Sequence, residues 1–187
     1  MHQRPMTLVV ISYPSRLEAL FEQAANHFAR ASAPDFAVER CQEPDDLVYL
    51  AKLWKNRGRS ITRLDLHGHG DGGKFKLGDE LLFASDGTGY GLAKKLGPKL
   101  AANAELRLLG CRTANEAERT AHSGTKLLRD LERLLGRQRR VLGTTGYLGP
   151  SHWGERGLTE AAEQLLLQGS GAARKAEPRS TKRLVLT

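Results

Sequence analysis

Two residues have the type and the company for covalent chemistry, Cys111 and His69. Cys111 lies in Leu108-Leu109-Gly110-Cys111-Arg112, where Gly110 leaves room for a peptide to approach the sulfur and Arg112 places a cation beside it. A nearby cation favours the thiolate, which is the nucleophilic form. His69 lies in His67-Gly68-His69-Gly70-Asp71-Gly72-Gly73, where glycine lets the backbone pass close to a substrate. An imidazole within reach of a thiol is the base–nucleophile pair of acyl transfer, and the amides of Gly70 and Cys111 are the candidate oxyanion hole. His67 is the rival to His69, or a neighbour that supports it. A metal bound by His67 and His69 would lack a carboxylate constellation, so neither metal nor cofactor is expected. Cys41 has no such neighbours and reads as core filler. His122 and His152 read as surface residues, Trp153 as either core plug or pocket wall, and Asp71 as the closure of a glycine turn more than a substrate contact.

The elements that must hold this pair read as alternating strands and helices. Thr7–Ser12 is an apolar first strand, and Ser15-Arg16-Leu17-Glu18 opens a helix to about Ala31 as a capping box. Phe36–Cys41 alternates like a half-exposed strand. Pro44 starts a second helix with Leu47, Leu50, Ala51 and Trp54 on its buried stripe, closed by Arg57-Gly58. Ile61–Leu66 runs into the His-Gly segment, and Lys74–Phe83 reads as a hairpin turning at Gly78-Asp79. A helix spans about Tyr90–Ala101 and a central strand Leu106–Leu109. The Leu127–Leu135 stripe marks a helix over Gly124–Leu135 capped by Gly136. Val141–Thr145 is a further strand, followed by a loop over Gly146–Gly154 and a short helix near Leu158–Leu167. This rhythm predicts an α/β domain, a three-layer αβα sandwich on a mostly parallel sheet. In such sheets function gathers beyond the carboxyl ends of the strands. If the strands ending at His67 and at Gly110-Cys111 are neighbours, imidazole and thiol meet on one rim.

A chain of 187 residues with 40% hydrophobic content supports one substantial core. We expect a single domain over residues 1–168 and a basic tail over 169–187, in which Leu184–Leu186 could dock as an edge strand. No apolar run is long enough for a membrane span or a signal segment, which points to a cytoplasmic protein. Two cysteines make no disulfide framework. The net charge of +8, from 29 basic and 21 acidic residues, raises a polyanion activator as an alternative partner. The basic residues are thinly spread and no nucleic-acid motif accompanies them, so nucleic acid is disfavoured.

The stretch LDLHGHGDGGKFKLGDELL followed by ELRLLGCRTA resembles the caspase-like (caspase–hemoglobinase) fold of cysteine peptidases. It is most similar to a bacterial branch best known from large repeat-rich surface proteins and toxins. His69-Gly70 falls on that family's His-Gly pair, Leu77-Gly78 on its hairpin and Gly110-Cys111 on its Gly-Cys pair. Gly143–Thr145 with Trp153 resembles the strand and Gly-Trp segment that wall the substrate cleft. The resemblance implies a thiol protease with a Cys111–His69 dyad acting on a protein or peptide substrate, or on itself, with no metal. A catalytically silent scaffold of the same fold is the alternative. Two departures stand out: Gly68 replaces a common Ser, and Arg112-Thr113 follows the cysteine. Relatives prefer acidic or basic P1 residues, and Asp71 and Arg112 are equal candidates for the pocket.

Overall fold

A computed structural model describes residues 3–14, 18–31, 33–116, 122–136 and 138–169. The tail beyond Gly169, including Leu184–Leu186, and the Ser15–Leu17 part of the expected capping box lie outside the described residues. The strands are β1 (Arg4–Ser12), β2 (Phe36–Cys41), β3 (Arg59–His67), β4 (His69–Asp71), β5 (Lys74–Leu77), β6 (Glu80–Ala84), β7 (Glu105–Leu109), β8 (Arg140–Thr144), β9 (Trp153–Gly154), β10 (Gly157–Leu158) and β11 (Leu166–Gln168). The helices are α1 (Ala19–Ala29), α2 (Pro44–Asn56), α3 (Tyr90–Leu96), α4 (Gly124–Leu135) and the single turn α5 (Glu160–Glu163).

The main sheet has six strands in the order β11-β8-β7-β3-β1-β2. Only the edge strand β11 runs antiparallel to its neighbour. Period-two alternation divides the strand side chains between two layers. Leu8, Val10, Leu64, Leu66, Leu106, Leu108 and Val141 pack with α2, α3 and α4 in one core. Val9 and Ile11 face the other way, onto Phe21, Ala24, Ala25 and Phe28 of α1, with Phe36 and Trp153. The architecture is therefore mixed α/β, a largely parallel sheet with helices on both faces. Phe28 is wholly buried, so truncating it to Ala costs about 3–5 kcal/mol.

The second face is covered unevenly. Beyond α1, the irregular segment after β8 takes over, and β7 offers it a charged residue. Arg107 is 1% exposed and bonds Glu105 at 2.5 Å and Glu163 at 3.0 Å, beside the fully buried Asp65. Such a buried ionic cluster holds only if its members stay paired.

Several boundaries differ from expectation. Glu18 is the N-terminal flank of α1, which ends at Ala29. The helix expected over Tyr90–Ala101 stops at Leu96, and Gly97–Lys99 continues as a 3-10 turn because Pro98 cannot extend the helical ladder. The helix expected near Leu158–Leu167 reduces to one turn. Leu166–Gln168 instead pairs with Leu142–Thr144 as β11, because a short apolar run fits strand or helix equally and the open edge of β8 supplies hydrogen bonds.

Candidate active site

The topology brings the two chemistry-bearing segments together. β3 and β7 are adjacent and parallel, with His67 opposite Leu109. His69 and Cys111 each lie two residues beyond that pair, so both emerge at the same level of the same rim.

Beyond the rim the chain does not run free. β4, β5 and β6 form a small antiparallel sheet, with His69 paired to Lys76 and Gly70 to Phe75. Gly68, which makes the step from β3 to β4, has no room for a side chain. An added Cβ would overlap the Lys76 carbonyl and approach Phe75 to 2.9 Å. That accounts for glycine at this step.

Gly70 and Gly110 form the closest approach of the site. A Cβ on Gly110 would stand 2.6 Å from the Gly70 nitrogen, and one on Gly70 would stand 2.8 Å from the Cys111 carbonyl oxygen. Two chain segments can cross this tightly only where both lack a side chain. The Gly110 carbonyl is held by the hydroxyls of Thr113 and Thr144, both fully buried. Thr113, the departure after the cysteine, is thus part of the turn that presents it. Arg112 follows with φ +55°, the one non-glycine residue in the left-handed region among the described residues. Strain of this kind, on the order of 1–3 kcal/mol, gathers at functional turns. Among the described residues the Cys111 N–H meets no acceptor, whereas the Arg112 N–H is bonded to Gly146 at 3.0 Å.

Cys111 is half-buried and carries a free thiol. It lines a narrow cleft of about 30 Å³ together with His69, His67, Gly68, Leu109 and Trp153. The remaining wall is Leu20, Phe21 and Ala24 of α1, with Leu148 opposite. The predicted pair therefore shares one cavity.

The two histidines divide that cavity. His69 sits at its mouth, half-exposed, with Nε2 2.8 Å from a Glu18 carboxylate oxygen and its ring edge-on to Phe21 at 5.0 Å. Glu18 thus fixes one ring nitrogen and leaves the other for a second partner. This residue was read only as part of a helix start. No sequence signal marks it, because the contact spans 51 positions. His67 lies on the floor, 4% exposed, its ring 5.1 Å from Phe28. Burial pushes its pKa down from 6.5 to about 4, against the pull of the Asp65 carboxylate, so it is neutral.

The remaining expectations sort cleanly. Trp153 is both core and cleft wall. Asp71 and Arg112 do not line the cleft. Asp71 accepts a hydrogen bond from the Gly72 N–H at 2.9 Å, closing the glycine turn. Cys41 is buried and its Sγ–H donates to the Glu43 carbonyl at 3.1 Å. Burial first, then the Asp46 carboxylate, pushes its pKa up to about 12. His122 is not a bare surface residue, since its Nδ1 lies 3.2 Å from the Ser85 hydroxyl. His152 accepts the Gly149 N–H at 3.1 Å within its own loop. Among the described residues, no group of three or more His, Cys, Asp or Glu side chains is placed to hold a metal.

The fold and the cleft define a class: an α/β domain whose parallel sheet presents a thiol and an imidazole on one rim. No protein-family model, curated protein or solved structure matches the chain. Among the described residues, no helix is long and apolar enough to cross a membrane.

Proposed function

We propose that this chain is a caspase-like cysteine endopeptidase domain with Cys111 as nucleophile and His69 as its acid/base partner. The observation that carries the reading is the meeting of His69 and Cys111 in one cleft, beyond the carboxyl ends of adjacent parallel strands. The sheet order and the crossing of two glycines at that rim support it further. Two unpaired thiols suit a reducing compartment, in keeping with a cytoplasmic enzyme.

In this reading the Cys111 thiolate adds to the carbonyl carbon of the scissile amide, forming a C–S bond. The oxyanion is received by the N–H groups of Gly70 and Cys111. His69, held through Nε2 by Glu18, gives its proton to the departing amine as the C–N bond breaks. Water then attacks the thioester, His69 takes its proton, and the C–S bond breaks to release the acid and restore the thiolate beside the protonated imidazole. Substrate is a protein or peptide, supplied by another chain or by this one.

The test is cleavage of a peptide library, read by mass spectrometry, with wild type and Cys111→Ala side by side. Cleavage confined to wild type is expected. Products absent from both, or equal in both, contradict the proposal and leave the silent scaffold.

One observation favours a polyanion as an additional ligand. Arg129, Arg133, Arg139 and Arg140, with Glu132 and Gln168 among them, line a cleft of about 290 Å³ at the opposite end of the sheet, where β8 begins. Arg133 and Arg140 are already paired with Asp130 and Glu105. A polyanion such as an inositol phosphate would compete with those carboxylates. Binding there must weaken steeply with salt, and salt-independent affinity excludes it.

A further inference from the structure

The cleft beneath the dyad has a chemical character of its own. Its walls are Phe21, Leu109, Leu148 and Trp153, all apolar. One buried polar side chain lies beneath that surface. His67 is 4% exposed, lines the cleft, and its Nε2 is buried without a hydrogen-bond partner. Buried polar atoms are almost always paired, and one left unpaired in a residue that lines a cleft points to a ligand atom as its partner.

Three features narrow what that ligand atom belongs to. The ring is neutral, so it presents either N–H or a lone pair at Nε2, and a hydroxyl matches both because it donates and accepts. No carboxylate or guanidinium lines the cleft, since Asp71 and Arg112 lie outside it. An acidic or basic side chain would be buried without a counter-charge. The volume of about 30 Å³, at about 10–15 Å³ for each water-sized group, holds roughly two such groups. The two γ substituents of threonine fit that count, with the methyl against Leu109 and Leu148 and the hydroxyl on His67. Serine fills half of it, and valine fills the volume but leaves Nε2 open.

We propose that this cleft is the P1 pocket and that it selects a small hydroxyl-bearing side chain, Thr ahead of Ser, through a hydrogen bond to His67 Nε2. The proposal rests on the peptidase reading for the name P1, and on the pocket alone for its chemistry. It departs from the acidic or basic preference of the resembled family.

The test uses capped peptide pools, randomised elsewhere and fixed at the central position as Thr, Ser, Val, Leu, Asp or Arg. With wild type, the Thr pool is expected to give kcat/KM at least ~10-fold above the Val pool, because a site built for a hydroxyl rejects the isostere that lacks it. His67→Phe, checked for folding by circular dichroism, is expected to bring that ratio to about one. Fastest cleavage of the Asp, Arg or Leu pool overturns the proposal, as does a Thr/Val ratio that survives in folded His67→Phe. A His67→Phe chain that does not fold leaves the wild-type ratio to decide. The second readout is independent of catalysis. Cys111→Ala is titrated with the Thr and Val pools while the His67 ring resonances are followed by NMR. Larger shifts with Thr support the pocket assignment; equal shifts, or none, overturn it. Thr-selective shifts without wild-type cleavage would sink the peptidase reading and leave the pocket standing.

Discussion

The two cysteines both stand at the carboxyl rim of the same sheet, and they could hardly differ more. Cys41 ends β2, an edge strand, and its sulfur turns inward under α2, 1% exposed and bonded to the Glu43 carbonyl. Cys111 follows β7, near the middle of the sheet, on a turn that cannot relax. Gly70 crosses Gly110 on one side, two threonine hydroxyls grip the Gly110 carbonyl, and Arg112 takes a left-handed conformation. The thiol of the first is held protonated by burial, while the second opens on a cleft with an imidazole at its mouth. The surroundings of each sulfur follow from where its strand ends and what crosses it, and on the proposed reading so does its reactivity. The residue type alone does not decide it.

The sharpest break in that comparison comes from removing each sulfur in turn. Cys111→Ala is expected to lower kcat/KM by ~10³-fold or more, with unchanged thermal stability. Cys41→Ala should leave turnover within about twofold while lowering stability by about 1 kcal/mol. Peptide hydrolysis and thermal melts on both variants check this. Equal activity losses would erase the distinction.

Gly70→Ala probes the crossing that sets the surroundings of Cys111 apart from those of Cys41. Its Cβ would press on Thr113 and the Gly110–Cys111 backbone, so a stability loss of about 1–3 kcal/mol is expected together with loss of activity. Urea denaturation measures it, and a neutral effect would mean that the segments do not meet.

The cleft floor makes a pH prediction. His67 binds a proton at about 4 in the fold and at its ordinary 6.5 when unfolded. Between those values the unfolded chain holds a proton that the folded chain does not, so stability falls as pH drops from about 6.5 to about 4. The loss is on the order of 3 kcal/mol. Comparing urea midpoints at pH 7 and pH 4.5 for wild type and His67→Phe reads this contribution. A slope unchanged by the substitution would refute burial of the ring.

The smallest effect is expected at Glu18. Its carboxylate and the His69 ring are both well exposed, so the pair contributes little to stability. Glu18→Gln should lower kcat by ~10-fold through orientation of the ring, leaving KM and the melting temperature unchanged. Unchanged turnover would make Glu18 a bystander.

Much of this site was legible before any coordinates. The apolar runs of β3 and β7 end at His67 and Gly110-Cys111, and the rule that function sits past strand ends put both on one rim. Adjacency of the two strands was the condition on which that reading depended, and only the structure supplies it. What escaped detection depends on long-range contacts. Glu18 reaches His69 from the far side of the cleft, across 51 positions of sequence, and no local pattern announces that. Arg107, a charged residue within the apolar strand β7, is buried against Glu105 and Glu163, the latter 56 positions away. Leu166–Gln168 became a strand because β8 had an open edge to offer. The division of labour between His67 and His69 was likewise undecidable from alternation. It depends on Gly68 turning the chain out of the main sheet and into the β4–β6 hairpin layer.

The central claim is that His69 activates Cys111, and the rate of iodoacetamide alkylation at pH 6.5, resolved by peptide mapping, tests it most directly. Cys111 should react at least ~10-fold faster in wild type than in His69→Ala, while Cys41 stays unmodified in both folded proteins. Equal alkylation of Cys111 with and without the imidazole would contradict the account.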